Sequence, residues 1–168
     1  MSISQALLPE LDQEMDKTRR TLERVPMDRF DWKPHERSFS MGALANHLAR
    51  LLGWGTETLG TESLDLAPEG GQAAAPTVAR TSEELLAFFD EGAAAFRKAV
   101  TEASDEAFLA PWTLLQGGKE LFTLPRIAVV RNLILNHLVH HRGQMTVYLR
   151  LNDVPVPALY GPSADEVA

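Results

Sequence analysis

The segment from about Ile127 to Leu151 limits the fold more than any other part of the chain. Ile127, Val130, Ile134, His137, His141, Gln144, Tyr148 and Leu151 recur at alternating steps of three and four. That spacing predicts one long amphipathic helix with these residues on its inner stripe. His137 and His141 then stand one turn apart on a face where aliphatic side chains are the ordinary occupants. Imidazoles at i and i+4 are neighbours on a helix and form a natural two-armed ligand for a divalent cation. The competing reading is a pair of core histidines, each ring satisfied by its own buried partner. His140 lies about 100° round the helix from His141 and stays outside the pair.

Three further periodic segments accompany it. Ser2 or Ser4 caps a first helix to about Val25, with Leu7, Leu11, Met15, Thr18 and Leu22 inward and Pro26 as its stop. A connector from Met27 to Phe39 offers Trp32 and Phe39 as buried anchors. Ser38 or Ser40 opens a second helix to about Gly60, with Leu44, His47, Leu51, Trp54 and Thr58 inward. Thr81 and Glu84 form a capping box for a third helix to about Ala103, whose apolar band holds Leu85, Phe88, Phe89, Gly92, Ala95, Phe96 and Ala99. Between the second and third helices, Gly70-Gly71 and Ala73 to Pro76 read as a surface loop. From Ser104 to Thr123 the pattern is irregular. Thr113 to Leu115 and Glu120 to Phe122 can pair as a short hairpin across Gly117-Gly118. Thr123 and Pro125 start the last helix and Asn152-Asp153 end it. Four periodic helices and no repeated unit predict an all-α, four-helix-bundle fold in a single domain spanning 1–168, with long connections and at least one crossover.

Composition removes several functions. The net charge of -7 is wrong for a general nucleic-acid binder, which needs a basic face. The absence of cysteine excludes disulfides, thiolate metal sites and a protein-borne thiol nucleophile. No apolar run approaches a membrane span and no signal peptide is visible, so a cytoplasmic location is the expectation. No Gly-x-Ser-x-Gly supports serine chemistry. No Glu stands three residues before a histidine, which removes the di-metal carboxylate bundle.

His47 is the candidate third ligand. It lies on the inner stripe of the second helix, from which it can face His137 and His141; a satisfied core histidine is the alternative. Three neutral imidazoles around a divalent ion would leave a position open for water or substrate.

The residues around His47 (Leu44-Ala45-Asn46-His47-Leu48-Ala49), the segment Asn136 to Gln144 with its His-x-x-x-His-Arg-Gly-Gln, and the stretch Val154 to Asp165 together resemble the DinB/YfiT-like family. The likeness spans nearly the whole chain, including Trp32-Lys33-Pro34 ahead of the second helix. It implies an up-down-down-up four-helix bundle, a homodimer, and a metal held by His47, His137 and His141. Zinc or nickel is the implied metal, with iron or manganese as alternatives. Some members of that family transfer low-molecular-weight thiols to electrophiles; others have no assigned activity. The resemblance therefore implies a metal-dependent transferase acting on small-molecule substrates, with the thiol as cosubstrate because the chain has no cysteine. A metal-dependent hydrolase, or a non-catalytic metal-binding bundle with a stress or partner-binding role, is the alternative. No catalytic side chain is assigned. Arg142 is open to an anionic substrate or to a structural ion pair, and Gln144 to a hydrogen bond near the metal or to helix packing. Asn46 and Asn136 are expected at the surface and His35 in a loop. Trp54 and Tyr160 are candidate pocket walls, against ordinary packing.

Overall fold

The computed structural model describes residues 1–68 and 78–167, so the loop expected at Gly70 to Pro76 lies outside the described residues. Helix α1 spans Ile3–Leu22 and α2 spans Met41–Gly60. Helix α3 spans Ser82–Glu102, and a short α4 follows at Asp105–Leu109. The last helix is continuous but has three parts: α5 (Arg126–Val129), a π-helical stretch (Val130–Leu135) and α6 (Asn136–Leu151).

The ends of these helices follow their side-chain chemistry. Ser2 caps α1 with Gln5 reaching back, so two of the orphan N–H groups are satisfied reciprocally. Helix α1 ends before the expected Val25. Ser40 caps α2, and Thr81 caps α3 with the predicted Glu84 reciprocation. At the C-terminus of α6, Asp153 takes a left-handed φ of 57°. Its N–H bonds Arg150 O while Val154 N–H bonds Leu149 O, which closes the helix as expected at Asn152-Asp153.

Helix α1 packs on α3 and α6, and α2 packs on the same two from the other side. The core between them is aliphatic and aromatic: Leu11, Leu44, Leu48, Leu52, Phe89, Phe96, Leu138 and Met145 are all fully buried. Gly55 of α2 makes room for the Phe96 ring of α3, from which an added Cβ would fall 2.6 Å. Gly92 makes a milder approach, 3.3 Å to Leu52. Ala95, expected on the same band, is exposed instead.

Two expectations are corrected here. The chain is mostly helical but not all-α, because a three-stranded sheet is built on its irregular stretches. Strand β2 (Pro111–Gln116) pairs antiparallel with β3 (Lys119–Pro125), as the hairpin reading anticipated, through left-handed Gly117 and Gly118. Strand β1 (Ser63–Asp65) adds in parallel to β2 and lies in a segment whose composition predicted only loop. Asp65 explains why it docks there. Its carboxylate accepts from the N–H groups of Gly117 and Gly118 at 2.9 and 2.8 Å and so caps the hairpin turn. A hydrogen bond from Ala67 N–H, joined by these two, holds the Asp65 carboxyl below its usual range. The second correction is Phe39. Trp32 is half-buried as an anchor, edge-on to Tyr148, but Phe39 is 51% exposed.

The π-helical stretch changes how the last helix presents its faces. Asn136 N–H bonds Arg131 O, five residues back, so this turn holds one residue more than an α turn. One residue is about 100° of rotation. Upstream, Val130 and Ile134 are buried as the single-stripe reading requires. Downstream, the fully buried residues are Leu138, Arg142, Met145 and Leu149, each one position beyond the extrapolated His137, His141, Gln144 and Tyr148. Gln144 and Leu151 are exposed. The histidines therefore stand on the shoulder of the core stripe rather than at its centre.

Candidate metal centre

The three histidines expected to converge do so. His47, on the shoulder of α2, meets His137 and His141 of α6, and their ligand atoms all lie within 4.8 Å of one another. The Nε2 atoms of His47 and His137 are 3.3 Å apart, and those of His137 and His141 are 2.8 Å apart. His141 is buried; the other two are half-buried.

The second nitrogen of two rings is already engaged. His141 Nδ1 lies 2.7 Å from Gln144 Oε1, and His137 Nδ1 lies 3.3 Å from Leu133 O. Both oxygens accept, so each Nδ1 carries the proton and each Nε2 presents a lone pair to the cluster. Two lone pairs 2.8 Å apart repel unless a cation lies between them. A proton is disfavoured in that role. Burial lowers the pKa of all three histidines, against the hydrogen bonds that His137 and His141 donate to Leu133 O and Gln144 Oε1, which act to raise theirs. His47 is pushed down to about 4, mainly by burial, with the charges of His141, His137 and Arg50 adding to it. Neutral imidazoles with converging Nε2 atoms are the form that binds a divalent ion.

The surroundings differ on each side. Phe39, expected in the core, lies against the cluster with its ring 5.8 Å from His47 and 6.2 Å from His141. Trp54 stands edge-on to His47 at 6.4 Å. Beside His141 is a groove of about 300 Å³ lined by Arg37, Ser38, Phe39, Gln144 and Tyr148. Beside His137 is an apolar cavity of about 90 Å³ under Trp54 and Trp112. Trp54 thus takes the pocket-wall role over ordinary packing.

Among the other residues singled out, Gln144 takes the hydrogen-bonding role, on His141. Arg142 takes the structural one. It points away from the histidines into the protein, where it pairs with the Glu14 carboxylate and donates to Glu14 O and Thr18 Oγ1, both at 3.0 Å. Tyr160 O–H closes the same network on Glu14 at 2.7 Å, and Lys17 lies over its ring, so Tyr160 ties down the C-terminal tail instead of lining the site. Asn46, expected at the surface, is buried. Its amide clamps both the N–H and the C=O of Ala79 and reaches Gly42 O, which pins the approach to α3 onto α2. Asn136 and His140 are exposed on α6, and His35 sits in the connector, as expected. Leu133 O, Phe39 and Arg37 were missed. A carbonyl leaves no residue-type signal, and an aromatic or cation in a connector cannot be aimed from periodicity alone.

The sequence matches the DinB family along its whole length, residues 1–168. The chain belongs to the DinB family. Among solved structures it is similar to a DinB-like protein from Bacillus cereus ATCC 10987, with a TM-score of 0.70 and 22% identity over 95% of this chain and 98% of that one. A DinB-like protein from Bacillus subtilis, YjoA, gives a TM-score of 0.67 and 16% identity over 89% and 95% of the two chains. At these identities the likeness is one of fold. A curated relative, the uncharacterized protein YrdA of Bacillus subtilis strain 168, is 49% identical over 35 residues; the match spans only 21% of each chain.

Proposed function

We propose that this DinB-family chain binds one divalent cation through His47, His137 and His141 and uses it to transfer a small thiol to an electrophile. The observation that carries the metal reading is the pair of fixed tautomers. With both Nδ1 protons committed to Gln144 and Leu133, the facing Nε2 atoms are left as acceptors with no hydrogen between them. Tetrahedral ligation at zinc–nitrogen distances of about 2.0–2.1 Å separates ligand nitrogens by roughly 3.3 Å. The His47–His137 spacing of 3.3 Å matches this, and the 2.8 Å pair needs only a few tenths of an ångström of relaxation. Zinc or nickel is the metal proposed, as ions that accept all-imidazole donor sets.

A divalent ion at this site supplies Lewis acidity, which lowers the pKa of a thiol so that the thiolate prevails near neutrality. The chain does the rest. Gln144 and Leu133 O hold two rings in the ligating tautomer. The groove with Arg37, Ser38 and Gln144 offers a cation and polar groups to an anionic, low-molecular-weight thiol. Phe39 and Trp54 limit water at the centre. In the transfer the sulfur lone pair forms the S–C bond, the leaving group departs with its bonding pair, and the thiol proton passes to bulk water. Three protein ligands leave a coordination position open, which favours this reading over a closed structural site. Among the described residues no carboxylate accompanies the three histidines in their cluster, which favours transfer over hydrolysis.

The same reading takes the ring of α1, α3, α2 and α6 as a single-domain four-helix bundle in up-down-down-up order. It takes the protein as cytoplasmic and as a homodimer, which sedimentation equilibrium tests. Among the described residues no helix is long and apolar enough to cross a membrane. The decisive experiment is metal analysis of protein purified without added metal. About one divalent ion per chain is expected, lost in His137→Ala and retained in His140→Ala. Equal occupancy in wild type and His137→Ala refutes the ligand set. Turnover of thiol and electrophile pairs with and without chelator then tests the transferase.

A further inference from the structure

The cavity beside His137 has a different chemistry from the groove beside His141. Its walls come from four parts of the chain: Trp54 and Thr58 of α2, Leu64 of β1, Trp112 and Leu114 of β2, and Leu133 of the π-helical stretch. Two of its polar wall groups are already used: Trp112 Nε1–H donates to Thr61 Oγ1 at 3.3 Å, and Thr58 Oγ1 donates to Trp54 O at 2.8 Å. A guest therefore meets walls made almost wholly of carbon, with polarity at His137 and at the Trp54 indole. The sheet and the π-helical turn together create this space, since β1 and β2 supply one side and the widened turn supplies the other. The volume of about 90 Å³ is smaller than the roughly 150 Å³ that accommodates benzene in an engineered apolar cavity.

We infer that this cavity binds a short, uncharged alkyl group, the side chain of an electrophile whose reacting carbon sits at the mouth beside His137. The inference rests on the transferase reading for the identity of the guest, but the cavity's preference for alkyl chains stands without a metal. Polar thiol and apolar electrophile then approach the histidines from opposite sides, and neither competes for the other's surface. Chain length is the specificity determinant. Burial of one methylene is worth about 0.8 kcal/mol, so each carbon that enters tightens binding about fourfold.

The test is methyl-detected NMR titration of full-length protein, with and without one equivalent of zinc, using 1-alkanols from ethanol to hexanol as probes. Saturable shifts are expected at the methyls of Leu64, Leu114 and Leu133. Affinity should rise about fourfold per carbon and level off near butanol, where the cavity is full. Leu114→Trp and, as a second filled variant, Leu64→Trp should flatten the series to less than twofold while zinc content stays at the wild-type level. Absence of a length dependence in folded wild-type protein, or an unchanged series in a folded filled variant, overturns the inference. A steep alkanol series in a protein that takes up no zinc upholds the cavity and removes the metal reading, so the two failures are separable.

Discussion

Replacing Arg142 with methionine separates the two roles open to this residue next to a candidate ligand. The side chain is 1% exposed and its partner Glu14 is 9% exposed, so the ion pair is nearly dry. Removing the guanidinium leaves a buried carboxylate with Tyr160, an apolar stub and, at its other oxygen, Lys17 at 3.2 Å. Breaking one side of a buried pair costs about 3–5 kcal/mol, and the partial compensation by Lys17 places the expected loss at the lower end, about 3 kcal/mol. For a chain of this size that corresponds to a fall in Tm of roughly 6–12 °C. Replacing both partners, as Glu14→Leu with Arg142→Met, should recover most of the loss. The pH dependence carries a second signature. Burial acts to raise the Glu14 pKa, but hydrogen bonds from Tyr160 and Arg142 and the arginine charge outweigh it, so the folded value lies below the ordinary one. A depressed carboxylate contributes stability above its unfolded pKa and loses it as pH falls through the folded value. The wild-type advantage over the double variant should therefore shrink below about pH 4. Urea unfolding followed by circular dichroism, at several pH values and with unchanged m, reads both effects. An Arg142→Met protein within about 1 kcal/mol of wild type would refute the reasoning. Loss of turnover at unchanged stability would return Arg142 to the substrate.

Three further outcomes are expected. Gln144→Leu frees the His141 ring to rotate and change tautomer, and should weaken zinc affinity about 10–100-fold by competition titration, with Gln144→Glu close to wild type. In the metal-free protein the His47 pKa of about 4 lies below its unfolded value, so protonation favours unfolding. Stability should be complete above about pH 6.5 and decline toward pH 4, with an NMR titration of the His47 ring reporting the low midpoint; a midpoint near 6.5 would contradict the buried geometry. Gly55→Ala drives a methyl into the Phe96 ring and should cost about 1–3 kcal/mol in thermal unfolding, despite alanine's better helix propensity; a stabilised variant would show that α2 and α3 pack more loosely than described.

Helix positions and caps were legible because they depend on local chemistry: Thr81 with Glu84, and a serine ahead of the first turn. Helical spacing made the His137–His141 pair legible and left His47 open; the resemblance of its segment to the DinB family is what joined it to the other two. The one-residue phase shift was not legible. A π-helical turn built from Val130 to Leu135 has the composition of ordinary helix, and it shows only in the Asn136–Arg131 hydrogen bond and in the burial of Leu138, Arg142, Met145 and Leu149. Strand β1 was missed because three residues held by pairing with a distant strand and by an Asp65 cap on its turn have no periodicity to detect. Asn46 misled for a similar reason, since its partner Ala79 lies 33 residues away.

The extra residue in the last helix has a consequence for what this chain tolerates. The two ends of that helix answer to different neighbours, and the widened turn is the gear that lets each keep its own setting. Excising a single residue from Val130 to Leu135 would take away the widening and leave a plain α-helix in which Leu138 and Arg142 still face inward; forcing the same turn straight with every residue kept would instead wheel the imidazoles a quarter-turn inward, toward hydrocarbon, and draw Arg142 off its acid.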